Sequence, residues 1–246
     1  MTKVPIPTPT RMSASAVGMQ LSCHASANLP LAIPGYQPPA EPETKASTKG
    51  DSLHKLMEEF GRYTPKEQLG IAKAMEYVAT LRQRRRFTQL LEAESSGWWL
   101  PGQPKTRADI VLYVQDEIHI VDWKFGKIPV EVHGNAQLKY YALSFSPLAP
   151  KAKLVTCHIV QPFADNIEST EFTVAQLAQF QQDTYAAATA IAAGDTTFTP
   201  SDYCTFCPAN PHSRAAKGSP LCPVMMKLLY PGNFDEAAAL ADEEWE

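Results

Sequence analysis

The order of elements along the chain predicts a mixed α/β fold, with helices on both faces of a central sheet of about four or five strands. Three observations support this prediction. Apolar residues alternate on both sides of a polar turn within residues 108–124, a pattern typical of a β-hairpin. Helix-start signals at Thr64 and Thr173 each begin a long helical segment. The 246 residues are enough for one substantial core and a small appendage.

The first part of the chain is predicted to be helical between proline-bearing segments. In chain order we expect a leader at 1–10, a short helix within 11–27, a Pro-rich loop at 28–50, a helix at about 51–61 with His54 in its first turn, and a helix from the capping box Thr64-Pro-Lys-Glu67 to about Arg85.

Strands and helices alternate in the second part. We expect a strand at 87–94, the hairpin at 109–124, a helix from about Gly134, strands at 153–161 and 169–173, a helix from Thr173 to Gly194, a cysteine segment at 195–230 with a last helical turn or two near 222–229, and an acidic tail at 231–246.

Charged residues occupy hairpin positions that otherwise belong to a core. Asp109 opens the first strand, and Asp122 and Lys124 close the second, on the same strand face as Ile118 and Ile120. Burying such charges is costly unless they are paired or bind a metal. Asp-x-Lys alone is more often a surface salt bridge. With Asp109 beside it, the pattern favours a divalent-cation site with a lysine over it, suited to phosphodiester hydrolysis.

Two polar residues on the next helix extend this candidate site. Gln137 and Tyr141 are four residues apart and therefore share one helical face. That face is predicted to contact the substrate or the lysine; a face turned to water is the alternative. An acidic contact from Glu92 or Glu94 is a weaker interpretation than exposed strand carboxylates.

The motifs resemble those of RecB-like nucleases in the PD-(D/E)xK superfamily, including CRISPR-associated RecB-like exonucleases and AddB nuclease domains. The matching motifs are Asp109, Asp122-Trp-Lys124, Gln137-x3-Tyr141, Gly50-x3-His54, and Met12-Ser-Ala-Ser with Cys23-x-x-Ser26, the last typical of the iron–sulfur subgroup. The resemblance runs from about Arg11 to Leu229 and is stronger to phage-encoded members, since no helicase motifs are present. Ala108 departs from the glycine plus apolar residue that often precedes the first aspartate.

The resemblance implies a restriction-endonuclease-like core at 11–230 with an iron–sulfur-stapled cap at 195–230. It implies that His54, Asp109 and Asp122 bind Mg²⁺ or Mn²⁺, and that Lys124 orients or deprotonates a water or stabilises the transition state. A helix-start histidine with no ligand role is the alternative for His54.

The five cysteines predict a second site near the C-terminus. The resemblance implies a [4Fe–4S] cluster held by Cys23, Cys204, Cys207 and Cys222. A zinc site using His212 with the three C-terminal cysteines is the alternative. Disulfides are disfavoured because nothing in the sequence resembles a secretory signal and an intracellular chain keeps its thiols reduced. Cys157 lies in an apolar strand and is predicted to be a small buried hydrophobe.

Charge distribution is consistent with a nucleic-acid partner. Six acids and no bases lie in the last 16 residues, so the formal net charge of −4 becomes +2 without them. Arg84, Arg85 and Arg86 form a basic cluster that favours backbone phosphates, although a solvated helix end explains it nearly as well. No apolar run approaches the roughly 20 residues that span a bilayer, and a cytoplasmic location is expected.

These features predict a metal-dependent DNA exonuclease acting on single strands or DNA ends, in phage or prophage recombination or replication. The alternatives are a non-catalytic iron–sulfur DNA-end-binding subunit and a zinc-binding adaptor. The acidic tail is predicted to be a solubilising end or, in the sharper hypothesis, a docking segment for a single-strand-binding or annealing protein, or a brake on the protein's own DNA channel. The sequence is also compatible with assembly into a homo-oligomer.

Overall fold

The computed structural model describes residues 12–37, 60–82, 87–114, 117–148, 150–152, 154–211 and 221–229. They fall into two compact units. The first comprises residues 13–15 and the described residues from 60 to 182, and it contains the sheet. The second comprises Met12, residues 16–37 and the described residues from 183 to 229, and it contains four of the cysteines.

The sheet has five strands in the order β1-β2-β3-β4-β5. The strands are β1 (Phe87–Ser96), β2 (Lys105–Val114), β3 (Glu117–Trp123), β4 (Leu154–Gln161) and β5 (Asn166–Thr173). Neighbouring strands are antiparallel except β3 and β4, which are parallel. The predicted mixed α/β class with a helix-flanked central sheet is confirmed.

Six α-helices lie in the described residues. They are α1 (Val17–Ser22), α2 (Leu29–Ala32), α3 (Pro65–Arg82), α4 (Ala136–Phe145), α5 (Val174–Ala192) and α6 (Pro223–Leu229). Short 3-10 turns occupy His24–Ala27, Phe60–Arg62, Ser146–Leu148 and Asp202–Phe206. None of the helices in the described ranges is long and apolar enough to cross a membrane.

Both predicted helix starts are confirmed by reciprocal capping. The Thr64 N–H donates to Glu67 Oε2 at 3.0 Å, and the Glu67 N–H donates to Thr64 Oγ1 at 3.4 Å, directly before α3. The same exchange joins Thr173 and Gln176 before α5, at 2.9 and 3.2 Å. These bonds satisfy N–H groups that a helix start leaves without partners.

Helices α3 and α4 pack on opposite faces of the sheet. Ala74 and Val78 of α3 pack in one core cluster with alternate residues of β2 and β3, among them Leu112 and Val121. Helix α4 lies against the first four strands. Because strand side chains alternate, that second face receives Asp122 together with the buried Ile118 and Ile120, as predicted.

A line of three polar side chains, with the buried His158 in the middle, lies on the α3 face. Tyr77 Oη lies 2.8 Å from His158 Nδ1, and His158 Nε2 lies 3.1 Å from His119 Nδ1. Burial, followed by the neighbouring His119, lowers the pKa of His158 from 6.5 to about 3. The neutral ring is therefore the form that the folded protein holds near neutral pH.

We expect His158 to make the folded state sensitive to acid. Between pH 6.5 and about 3 the unfolded chain binds a proton at this ring and the folded protein does not. Its contribution to stability is therefore present above pH 6.5 and is lost as the pH falls, by at most about 1.4 kcal/mol per pH unit. The difference in free energy of unfolding between the wild type and His158→Gln should be smaller at pH 4 than at pH 7. A difference that does not change with pH would contradict this prediction.

Candidate active site and cysteine cavity

The two predicted catalytic aspartates lie across from each other on neighbouring strands. Ile110 of β2 pairs with Val121 of β3, which brings Asp109 opposite Asp122 on the α4 face. Asp109 Oδ2 accepts a 2.7 Å hydrogen bond from the backbone N–H of Trp123. Asp122 is only 4% exposed. The hairpin therefore brings two carboxylates together where solvent is largely excluded.

The electrostatics of this pair favour a cation. Burial, and then the charge of Asp122, raises the pKa of Asp109 from 3.8 to about 6, against the lowering effect of the Trp123 hydrogen bond. Burial also raises the pKa of Asp122, with the Lys124 ammonium opposing the shift. Two carboxylates facing one ammonium leave an excess negative charge, which a divalent ion with oxygen ligands would neutralise.

Asp109→Asn is expected to stabilise the metal-free protein at pH 8. The folded carboxyl has a pKa of about 6 and its ordinary value is 3.8, so stability falls as the pH rises through this window. The penalty above pH 6 is at most about 3 kcal/mol, and the Asn side-chain oxygen still accepts the Trp123 N–H. Thermal unfolding in EDTA should show a gain at pH 8 that disappears at pH 4, and Mn²⁺ should stabilise only the wild type. A variant less stable than wild type at pH 8 would contradict the prediction.

A chain of polar contacts links Lys124 to α4. Lys124 Nζ lies 2.8 Å from Asp122 Oδ2 and donates to Gln137 Oε1 at 3.0 Å. Gln137 Nε2 donates to Tyr141 Oη at 2.9 Å. Burial, then the charge of Asp122, raises the pKa of Tyr141 above its usual range. The five residues predicted as catalytic thus lie in one array, and Gln137 and Tyr141 point to the site rather than to bulk water.

Local sequence sets the start of α4 and so positions Gln137. Gly134 has a φ of 70°, in the left-handed region that favours glycine. Asn135 follows as N-cap, with its side-chain oxygen accepting from the Leu138 N–H at 3.2 Å. Gln137 therefore lies in the first helical turn and Tyr141 one turn later.

Two features of the site differ from the expectations drawn from the sequence: Gln161 was not singled out, and Glu92 was expected to be an exposed strand carboxylate and not an acidic contact. Gln161, at the end of β4, is fully buried and accepts the Val130 N–H at 2.7 Å while donating to the Ile128 carbonyl at 3.1 Å. It therefore holds the loop between β3 and α4. A glutamine ending an apolar strand was the available signal, but its partners lie in a loop with no pattern of its own.

The second feature is Glu92, which the β1–β2 register places across from Asp109. Its φ of 46° is uncommon for a non-glycine residue, and strain of this kind concentrates at functional sites. Its charge contributes to the raised pKa of Asp109. Arg107 Nε lies 3.1 Å from Glu92 Oε2. Glu92 is therefore close to the site, whereas Glu94 is exposed as expected.

Other residues that the sequence predicts to bind a metal or DNA lie outside the described residues. These are His54, Arg84, Arg85, Arg86 and His212. Within the described ranges, no group of three or more His, Cys, Asp or Glu side chains is placed to hold a single metal ion.

Four of the five cysteines line one cavity in the second unit. They are Cys23, Cys204, Cys207 and Cys222, and all are free thiols. Cys23 directly follows α1, Cys204 lies in the 3-10 turn, Cys207 follows that turn, and Cys222 directly precedes α6. Cysteines that are far apart in the sequence therefore line the same cavity. Cys157 is fully buried elsewhere, as predicted.

Backbone N–H groups and burial set the environment of these thiols. The Ser201 N–H donates to Cys204 Sγ at 3.3 Å and the Thr199 N–H to Cys23 Sγ at 3.5 Å. Burial is the main cause that raises the pKa of Cys207 to about 11, and the neighbouring cysteines add to it. Burial also raises the pKa of the Cys222 thiol, so binding of a metal at Cys207 and Cys222 would displace their protons.

Comparisons with known proteins give the family and a distant likeness in fold. No curated protein matches the sequence. The structure named SSO0001 is 15% identical over 78% of this chain and 81% of its own, with a TM-score of 0.39. A "Putative exonuclease" from Eubacterium rectale is 12% identical over 78% of this chain and 82% of its own, with a TM-score of 0.45.

Residues 95–227 match the family described as "Protein of unknown function (DUF2800)". The matched region includes both aspartates of the hairpin, Lys124, the Gln137 and Tyr141 pair and the three C-terminal cysteines. The match covers more than half of the chain, which therefore belongs to the DUF2800 family.

Proposed function

We propose that this protein is a metal-dependent deoxyribonuclease of the RecB-like type that acts on DNA ends. The observation that carries the proposal is the array of Asp109, Asp122 and Lys124, in which a half-buried and a buried carboxylate face each other beside an ion-paired ammonium. A surface salt bridge would not require the burial that Asp122 has.

Asp109 and Asp122 fit Mg²⁺ or Mn²⁺, because both supply hard oxygen ligands and their mutual repulsion would be relieved by a divalent ion. When bound, the ion would lower the pKa of an attacking water and stabilise charge on the scissile phosphate. His54 is the proposed third ligand, on the strength of the Gly-x3-His motif alone.

Lys124 is proposed to stabilise charge on the phosphate. An ammonium has three N–H donors. One is donated to Gln137, and the ion pair with Asp122 also restricts the position of the ammonium. A donor held in this way loses little freedom when it meets the transition state. Tyr141 keeps Gln137 oriented, so α4 acts on the substrate through Lys124.

We further propose that the protein is an exonuclease on DNA. This proposal is supported by the motif resemblance to RecB-like nucleases, which also underlies the proposed role in phage recombination or replication. Purified protein with Mg²⁺ or Mn²⁺ should degrade end-labelled linear DNA and spare circular single strands. Cleavage of circles would indicate an endonuclease, and end binding without cleavage under any metal would indicate a non-catalytic subunit.

The four-cysteine cavity is proposed to hold a [4Fe–4S] cluster. Each thiolate would bind a different iron atom, so four sulfurs can share a cavity without converging on one ion. The backbone N–H groups that reach the Cys23 and Cys204 sulfurs are of the kind that tune such clusters. The proposed role is structural, since the ligands come from distant parts of the sequence. The acidic tail lies outside the described residues, and its docking role stays a prediction.

A further inference from the structure

The loop between β3 and α4 presents an apolar side chain to solvent near the candidate active site. Ile128 is 83% exposed, more than any other large hydrophobic side chain in the described ranges. Gly126, Lys127 and Pro129 beside it are exposed as well. Ile128 follows Lys124 by four residues, so their Cα atoms lie within about 14 Å of each other. We refer to Gly126–Pro129 as the loop tip.

Hydrogen bonds on both sides fix this loop tip. Before it, the Lys124 N–H donates to the Val160 carbonyl at 3.0 Å and extends the β3–β4 pairing by one residue. After it, Gln161 bonds the carbonyl of Ile128 and the N–H of Val130. Asn166 Nδ2 donates to the Val130 carbonyl at 3.2 Å and to Gln161 Oε1 at 2.8 Å.

Breaking the bond to Ile128 would remove the partner of the buried Gln161 Nε2, which is costly. Pro129 also restricts the backbone next to Ile128. Ile128 therefore cannot readily turn inward, and its exposure is a fixed property of the loop. Single exposed apolar residues are common on protein surfaces, but this one is held rigidly beside an array of catalytic type.

The side chains of the loop tip are suited to binding the end of a nucleic acid. Lys127 offers an ammonium to a backbone phosphate, and Ile128 offers an apolar surface to the face of a base. Apolar side chains that meet DNA in this way enter between base steps and unstack them. Neither contact reads sequence, as suits an enzyme that moves along a strand.

We propose that the loop tip binds the terminal base pair of duplex DNA, with Ile128 against the end base and Lys127 on the neighbouring phosphate. The end pair is thereby opened beside Asp109 and Asp122, and the substrate class is double-stranded DNA ends. This inference rests on the proposed nuclease function.

Cleavage of blunt duplex DNA relative to single strands of the same sequence tests it. Ile128→Ser should lower this ratio at least about tenfold, the fold-change that corresponds to losing a buried aliphatic side chain. Ile128→Leu should retain the ratio. Leu148→Ser is the matched control, because Leu148 is also exposed and lies beyond α4 in the turn Ser146–Leu148. An unchanged ratio in Ile128→Ser, or equal loss on both substrates, would overturn the proposal.

Two further readouts separate this inference from the nuclease assignment. Lys127→Gln should reduce the slope of log binding constant against log salt by about 0.7–0.9. A fluorescent adenine analogue at the duplex end should brighten on binding wild type, as the base unstacks, and not on binding Ile128→Ser. Brightening without cleavage would defeat the nuclease proposal alone. Cleavage of single strands only, with no brightening, would defeat this one alone.

Discussion

Asp122→Asn is expected to reduce Mg²⁺- or Mn²⁺-dependent DNA cleavage at least about a hundredfold, since metal and electrostatic contributions are each worth several kcal/mol of barrier. The substitution keeps the shape of a side chain that is 4% exposed but removes the charge needed to hold a cation. Initial rates on end-labelled DNA provide the measurement, and thermal unfolding shows whether the variant is folded.

Asp165→Asn is the matched control. Asp165 is an exposed aspartate of the same unit, paired with Lys73 at 3.1 Å, and its replacement should leave cleavage within about twofold of wild type, as expected for a surface ion pair. Lys124→Ala should also lose most activity. Cleavage at the wild-type rate in both Asp122→Asn and Lys124→Ala would sink the nuclease assignment.

The residues of this array could be predicted because each is marked by a local period. A two-residue strand period placed Asp122 on the face of Ile118 and Ile120, and a four-residue helical spacing joined Gln137 to Tyr141. The structure brings these residues together as expected, with Lys124 Nζ reaching both Asp122 and Gln137. Local patterns sufficed because the hairpin and the helix that follows it are consecutive in the chain.

Features that depend on pairing between distant segments were either not predicted, as for Gln161, or disfavoured, as for Glu92. Gln161 belongs to β4, and its partners Ile128 and Val130 lie some thirty residues earlier. Glu92 becomes part of the site through the register between β1 and β2 and an unusual backbone angle. Neither register nor a positive φ at glutamate is encoded by a short sequence pattern. The rigid loop tip, which carries the further proposal, follows from this long-range pairing.

At the cysteine cavity, too, sequence spacing predicts one part of the site and the tertiary fold determines the rest. The motif Cys204-x2-Cys207 predicts a ligand pair from spacing alone. Cys23 lies far from this pair in the sequence, and only the tertiary fold brings it close. The structure places all four thiols around one cavity.

Cys23→Ser is expected to bleach the protein and to lower its melting temperature strongly. Protein purified without oxygen should be brown, with four irons and four sulfides per chain, because thiolate–iron bonds absorb broadly in visible light. Cys23 closes the longest loop among the ligands, and a cross-link over such a length is worth roughly 4–5 kcal/mol in the chain-entropy view. Iron analysis, the visible spectrum and thermal unfolding are the measurements.

Cys157→Ala is the matched control, because Cys157 is a fully buried thiol of the sheet unit that does not line the cavity. It should cost stability through lost packing and leave iron content and colour unchanged. A colourless protein with one zinc per chain, indifferent to Cys23→Ser, would instead favour the local site of His212 with the three C-terminal cysteines. In that case the N-terminal segment would be held by packing and by hydrogen bonds such as those from Asn28 Nδ2 to the Ile191 and Asp195 carbonyls, and the proposed metal link between distant parts of the sequence would be refuted.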